Sequence, residues 1–275
     1  MDGVGLTSLW VAAMRAVETD REDALIRDPL ARVLAGERGF DILSRGDPPG
    51  AVRPPVVAVR TRFFDDTALA ALGAGIRRIV ILAAGMDARA FRLVLPPGTR
   101  VFEVDQPAVL AYKSEKLLGR EPACERVPVP VDLREDWSSA LLAAGFERDV
   151  PAVWLVEGLL PYLRPEGVTA LLARVSALAA EQSELVLDVP GTSVLDSPHM
   201  KERLEFVAGL GAPWQFATDE PEALLEPLGW DVRVVDAATI GQRHGRWPFP
   251  AFPRGTPGVP QNFFVHGVKS DSVQR

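Results

Sequence analysis

Arg78-Ile-Val-Ile-Leu-Ala-Ala-Gly-Met-Asp87 is a short apolar run that stops at a glycine. Isoleucine and valine without polar alternation suit a strand covered on both faces. Val101-Phe-Glu-Val-Asp105 repeats the pattern, and Val127 to Val131, Ala152 to Val156 and Leu185 to Val189 continue it. Helical patterns lie between them: Ala108 to Leu118, Trp137 to Ala144 and Val168 to Ala180. Strand-like runs alternating with helices predict a mostly parallel sheet with helices on both faces. Right-handed crossovers then bring every strand's C-terminal end to one edge, where a ligand binds.

Upstream the reading is helical, with apolar residues at helical spacing in Leu9 to Val17, in Asp28 to Leu34 with Pro29 in its first turn, and in Val56 to Leu72. Gly46-Asp-Pro-Pro-Gly50 breaks that pattern. After Val189 the alternation fails. Gly191 to Gly211 is polar, with helical content near Lys201 to Ala208, and reads as a lid. Strands resume at Val232 to Val235 and Asn262 to Val268. Between them Trp247-Pro-Phe-Pro-Ala-Phe-Pro253 reads either as a rigid surface connection or as a wall of a pocket. The tail from Ser270 is expected to be disordered.

Composition narrows the function. The 275 residues carry a net charge of −7 and a pI near 5.2, a poor balance for general nucleic-acid binding. A single cysteine, Cys124, and three scattered histidines offer neither a disulfide nor a metal-ligand spacing. No basic-then-apolar leader opens the chain and no apolar run approaches membrane-span length, so a cytoplasmic protein without a membrane partner is expected.

The strand ends hold the candidate chemistry. Gly85 lets the backbone approach a ligand closely, though a plain strand-to-helix turn reads the same way. Asp105 follows it by 20 residues, the spacing that sets an acid against a ribose diol. Glu103 and Asp105 share a strand face, and spacing leaves open which of them meets the ribose. Asp132 is placed either to accept an adenine amine, with Leu133 on the ring face, or to cap a helix. Glu157, between a buried strand and Gly158, is costly unless it faces a polar site, and its charge suits a sulfonium. Arg60 and Arg62 offer forks for a carboxylate, or pair on the surface with Asp65 and Asp66.

Five segments in order carry a resemblance: Arg60-Thr-Arg-Phe-Phe-Asp-Asp66, Ile79 to Leu93, Val101-Phe-Glu-Val-Asp-Gln-Pro107, Val131-Asp-Leu-Arg134 and Trp154-Leu-Val-Glu-Gly-Leu-Leu-Pro-Tyr-Leu163. Together they resemble the leucine carboxyl methyltransferase family, in particular its bacterial, actinomycete branch of S-adenosyl-L-methionine-dependent enzymes, some acting on polyketides. The resemblance spans residues 8 to 268. It implies an α/β, Rossmann-like class I methyltransferase: a seven-stranded, mostly parallel sheet with helices on both faces. Residues 1–75 would form a helical cap, 76–190 the cofactor core, 191–225 a lid after the fifth strand, 226–268 the last strands and 269–275 a tail.

By matching position, the resemblance implies that Arg60, with Arg62 as the alternative, holds the carboxylate of S-adenosyl-L-methionine. Gly85 would admit its methionine part, Asp105 the ribose, Asp132 and Leu133 the adenine, and Glu157 would stand near the methyl donor. Relatives have Gly-x-Gly at the turn; Ala83 replaces the first glycine, so the turn is expected to avoid positive φ there.

The reaction expected is transfer of a methyl group to oxygen, carboxyl or hydroxyl, of a small acceptor. A carboxylate needs no base, whereas a hydroxyl does, and His199 in the lid is the one histidine considered for it. No catalytic residue is assigned. Tyr162 is expected to shape the acceptor pocket, and Trp214, Phe216, Trp247 and Phe249 to suit an aromatic or polyketide-like molecule or else to fill the core. Three other readings compete. A nicotinamide-dependent oxidoreductase would need glycines at 83, 85 and 88, where the chain has Ala, Gly and Ala. A binding protein without turnover would keep the cofactor site alone. An RNA-modifying enzyme is opposed by the acidic charge. Oligomeric state is not legible.

Overall fold

The computed structural model describes residues 3–46 and 54–270. The tail beyond Ser270 and most of the Gly46–Gly50 break lie outside them. Among the described residues, seven strands form one sheet: β1 Arg78–Leu82, β2 Arg100–Asp105, β3 Glu125–Pro130, β4 Val153–Val156, β5 Glu184–Pro190, β6 Trp230–Asp236 and β7 Asn262–Lys269. Their order is β3-β2-β1-β4-β5-β7-β6. The first five pair in parallel, and β7 inserts antiparallel between β5 and β6. The fold is therefore a seven-stranded, mostly parallel α/β sheet, as the sequence led one to expect.

The helices are α1 Val4–Thr19, α2 Ala31–Gly46, α3 Val56–Gly73, α4 Arg89–Arg92, α5 Pro107–Lys116, α6 Trp137–Ala143, α7 Pro165–Leu178, α8 Ser193–Asp196, α9 Lys201–Gly209, α10 Glu222–Leu225 and α11 Ala237–Arg243. Two apolar layers explain why the central strands lack polar alternation. On one face Val80, Leu82 and Trp154 pack with Trp137 of α6 and Leu172 and Val175 of α7. On the other, Ile79, Ile81 and Leu155 pack under Phe64, Ala68 and Leu72 of α3. Trp154 is fully buried, edge-on to Trp137 at 6.5 Å and to Phe146 at 5.2 Å. Truncating so large a side chain there costs about 3–5 kcal/mol. At the free edge, β3 carries Pro128 and Pro130, which cannot donate to a further strand.

The sheet turns back at its centre, because β2 and β3 lie to one side of β1 and β4 and β5 to the other. That reversal opens a crevice beyond the C-terminal ends of β1 and β4. Helices α1 and α2 pack on one another and onto Met86, Ala88 and Val109, so they cover that edge. The second helix begins at Ala31, not at Asp28 as the sequence suggested. Asp28 is drawn inward: its carboxylate accepts Arg15 Nε at 2.9 Å and the Leu30 N–H at 3.2 Å. The chain therefore turns through Pro29 before it coils. Among the described residues, no helix is long and apolar enough to cross a membrane.

Candidate active site

The turn after β1 sets the backbone of the site. Ala84 N–H donates to Val104 O at 3.2 Å, and Gly85 N–H donates to Asp105 Oδ2 at 2.6 Å. The turn thus stays bonded to β2 after the ladder ends. Gly85 has φ +47°, and a Cβ there would lie 2.8 Å from Ser8 Cβ of α1. Ala83 was expected to avoid positive φ; it instead has φ +53°. Its N-terminal neighbour ends β1 and its C-terminal neighbour is tied to β2, so residue 83 must absorb the change of direction. The methyl group makes that conformation cost about 1–2 kcal/mol.

Burial sets Glu103 and Asp105 apart. Glu103 is fully buried, with Lys113 Nζ 2.8 Å from Oε1 and Arg126 Nη2 2.8 Å from Oε2. Asp105 opens at the strand end. Burial raises its pKa, opposed by the Gly85 and Gln106 N–H groups. Gln106 joins the next strand end, since its N–H donates to Asp105 Oδ1 at 2.6 Å and its Nε2 to Asp132 Oδ2 at 3.2 Å. Asp132 also takes Arg134 Nη2 at 2.7 Å, and that hydrogen bond holds its pKa down. Leu133 is half-buried against the core. Asp105 and Asp132 therefore stand as neighbours on one edge.

On the other side of Gly85 lies a chain of alternating charges. Arg15 meets Asp28 at 2.9 Å, and Arg92 Nε lies 3.9 Å from Asp28. Arg92 and Arg89 share Asp65 at 2.6 and 2.7 Å. Arg89 also pairs with Asp87, and its Nη2 lies 2.8 Å from Glu157 Oε2. Glu157 Oε1 accepts Arg60 Nε at 3.0 Å, and Asp188 Oδ2 accepts Arg60 Nη1 at 3.2 Å. Asp188 Oδ1 takes the Gly158 N–H at 2.6 Å. Gly158, at φ +63°, leaves room for Arg60, because a Cβ there would meet Nη1 at 3.0 Å.

Burial opposes charge along this chain, and the partners decide which groups keep it. Arg60 is held above its ordinary range by Asp188 and Glu157 despite burial. Burial likewise pushes Asp87 up, but Arg89, Lys113 and Arg92 outweigh it and bring its pKa down to about 2. Glu157 is also lowered, by Arg89 and Arg60 against burial. Asp188 is raised, because burial there exceeds the pull of Arg60 and Gly158 N–H.

A cavity of about 820 Å³ lies over this chain. Arg60, Gly85, Asp87, Glu157 and Asp188 line it at the strand ends. Asp105, Asp132 and Leu133 flank it without lining it, and Arg62 sits apart, half-buried, on Asp66 at 2.8 Å. Opposite the strand ends, Trp10 and Met14 of α1 meet His199, Arg203, Val207 and Trp214 of the segment after β5. Trp247, Phe249 and Phe252 close a third side, so the proline-rich stretch walls the cavity. Tyr162 lines it too, edge-on to Trp214 at 6.4 Å. Phe216 does not; it packs against the sheet core.

Asp188, Arg89, Asp87 and Arg15 were missed from sequence. Asp188 carried a readable signal: it is an acid inside the apolar strand Leu185-Val-Leu-Asp-Val189. The arginines carried none, since helical spacing does not separate a buried arginine from a surface one.

Known proteins give this geometry its family. The leucine carboxyl methyltransferase profile matches residues 8–176. An assigned S-adenosyl-L-methionine-dependent methyltransferase of Mycolicibacterium gilvum is 42% identical over 288 residues, covering 95% of this chain and 93% of its own. A crystal structure of an assigned methyltransferase from Thermobifida fusca superposes with a TM-score of 0.60 at 20% identity, covering 87% of this chain and 92% of that one. Human N-acetylserotonin methyltransferase in complex with S-adenosyl-L-methionine superposes at 0.50 with 12% identity, over 79% of this chain and 56% of that one. The chain belongs to the leucine carboxyl methyltransferase family and is a methyltransferase that uses S-adenosyl-L-methionine.

Proposed function

We propose that the protein methylates an oxygen of a small, largely apolar acceptor, with cofactor and acceptor meeting over Glu157 and Asp188. The observation that supports this most is the convergence of Gly85, Asp105 and Asp132, joined through Gln106, beside a cavity that Arg60 and Glu157 line. The residues fit the cofactor in kind. Asp105 and Asp132 are acceptors in kind for ribose hydroxyls and an adenine amine: Asp105 takes one donor on each oxygen and keeps lone pairs to spare, whereas Asp132 takes four N–H groups from Gln106 and Arg134, so the exposed Arg134 would yield to the amine. Leu133 offers an apolar face for the ring. Gly85 is the one residue type its close contact with Ser8 allows. Arg60 spends Nε and Nη1 on acids and keeps further N–H groups for a carboxylate. Arg62 is the weaker candidate, since it lies outside the cavity.

When bound, the cofactor supplies an activated methyl group on a positively charged sulfur. The protein's part is alignment and exclusion of water. Glu157, kept ionised by Arg89 and Arg60, stabilises a nearby cation. We read residues 1–75 as a cap, 76–190 as the cofactor core and 191–225 as a lid over the acceptor, with 226–268 completing the sheet and its wall.

Incubation with methyl-labelled cofactor and panels of small phenols, alcohols and carboxylic acids tests the reading. Label in an alkali-stable ether or an alkali-labile ester supports oxygen transfer. Label recovered only on nitrogen or carbon overturns it.

A further inference from the structure

The cavity is larger than the cofactor's share of it. On the reading above, ribose and adenine lie against Asp105, Asp132 and Leu133, which flank the cavity without lining it. Only the methionine end then enters, at Gly85 and Arg60. Most of the 820 Å³ is left to the acceptor. Pockets for drug-sized ligands span about 300–1,000 Å³, so this space is generous. Its charge is concentrated where Arg60, Glu157 and Asp188 meet the strand ends, with Arg203 on the lid side. Between them the lining turns apolar, through Val11 and Met14 of α1, Trp214 and Trp247.

The apolar lining does not stop at the surface. Phe249 and Phe252 line the cavity and are nevertheless 45% and 42% exposed. Large aromatic side chains left in water beside a pocket mark a face that a ligand covers. These two are held in place. Pro248, Pro250 and Pro253 restrict the backbone around them. Phe249 O accepts Gln242 Nε2 at 3.0 Å, and Phe252 O accepts Gln261 Nε2 at 3.1 Å. Gln261 is itself buried, and its Oε1 accepts the Gly255 N–H at 2.9 Å. A loop of this polarity could have folded its aromatic rings inward; the two glutamines fix its backbone with the rings at the mouth.

Resting on the cofactor reading above, we propose that the acceptor is an elongated amphiphile bound end-on. Its oxygen-bearing head lies at the strand ends, its apolar body fills the cavity, and its far end leaves across Phe249 and Phe252. The two phenylalanines are then specificity-determining residues: they reward length in the acceptor, because each methylene that reaches them is taken out of water. A compact acceptor would end inside the cavity and leave both rings wet.

The test is a chain-length series. Protein saturated with S-adenosylhomocysteine is titrated by calorimetry with 4-ethyl-, 4-butyl-, 4-hexyl- and 4-octylphenol, and with the matching 4-alkylbenzoates. Two head groups are used because the body of the acceptor, not its reacting group, carries the proposal. In at least one series affinity should rise about twofold or more per methylene through octyl, a fully buried methylene being worth about fourfold. In Phe249→Ser/Phe252→Ser that gain should fall by at least about half on a logarithmic scale. Phe252→Ser alone should show part of the loss, which keeps the test if the double variant does not fold. Val94→Ser, which removes an exposed apolar side chain that does not line the cavity, should keep the wild-type gain. Affinity that levels off at butyl in both series overturns the proposal and makes the acceptor compact. Absence of binding by every homologue overturns it, as does an undiminished gain in the folded variants. A wild-type dimer that the serine variants dissociate, with no dependence on chain length, would assign the two rings to a second copy of the chain and overturn it too. Failure of S-adenosylhomocysteine itself to bind would instead overturn the cofactor reading beneath.

Discussion

The carboxylate of Asp105 accepts the backbone N–H of Gly85 at 2.6 Å. That contact joins the ends of β1 and β2 and fixes the turn against which α1 packs. Gly85→Ala sets a Cβ 2.8 Å from Ser8 at a positive φ. It is expected to cost about 1–3 kcal/mol of stability and to abolish cofactor binding. Urea unfolding and calorimetry on the same sample separate the two effects.

Ala83→Gly should act in the opposite sense. At φ +53° the alanine is strained, and glycine removes the strain while gaining freedom in the unfolded chain. The first effect is about 1–2 kcal/mol and the second about 0.4–1 kcal/mol. A net gain of about 0.5 kcal/mol is expected by chemical denaturation. A loss would show that the methyl group packs more usefully than its backbone conformation implies.

Acid should weaken the fold through Asp87. Its folded pKa of about 2 lies below the ordinary carboxylate value, so its stabilisation is complete above about pH 4 and is lost as pH falls toward 2. Asp188 has the opposite sign: its raised pKa means that protonation on acidification relieves the fold. The stability difference between wild type and Asp87→Asn should be on the order of 2 kcal/mol at pH 6 and should shrink toward zero near pH 2. A pH-independent difference would contradict this.

Arg246 ties the aromatic wall to the end of α1 and the turn that follows it. Its Nη2 donates to Glu18 Oε2 at 2.8 Å and its Nη1 to Asp23 O at 2.7 Å, with Trp247 next in the chain. Arg246→Leu leaves the nearly buried Glu18 with the Leu25 N–H at 2.7 Å and Arg21 at 3.9 Å, so a loss of about 1–3 kcal/mol is expected. Methylation of the small acceptors should slow while cofactor affinity stays within a few-fold. Loss of cofactor affinity instead would mean that the wall supports the strand ends as well.

Much of the fold was legible because local signals agreed. The buried strands β1, β2, β4 and β5 read as continuous apolar runs, and Gly85 and Asp105 stood at a diagnostic spacing. The insertion of β7 between β5 and β6 was not, since pairing across such a separation leaves no local mark. Arg60 was legible, but its partner Asp188 lies 128 residues away. Asp28 misled the reading of α2, because a buried salt bridge to Arg15 overrode a helix-start pattern. The backbone of Ala83 misled it too, since composition favoured an unstrained turn and the tether from Ala84 to Val104 required the other.

The decisive measurement is calorimetric titration of the purified protein with S-adenosylhomocysteine, beside Asp105→Ala and Asp132→Ala. The expected result is binding in the micromolar range by the wild type, with both variants folded and weakened at least about tenfold. Wild-type affinity retained in both folded variants would contradict the placement of the cofactor along the ends of β2 and β3.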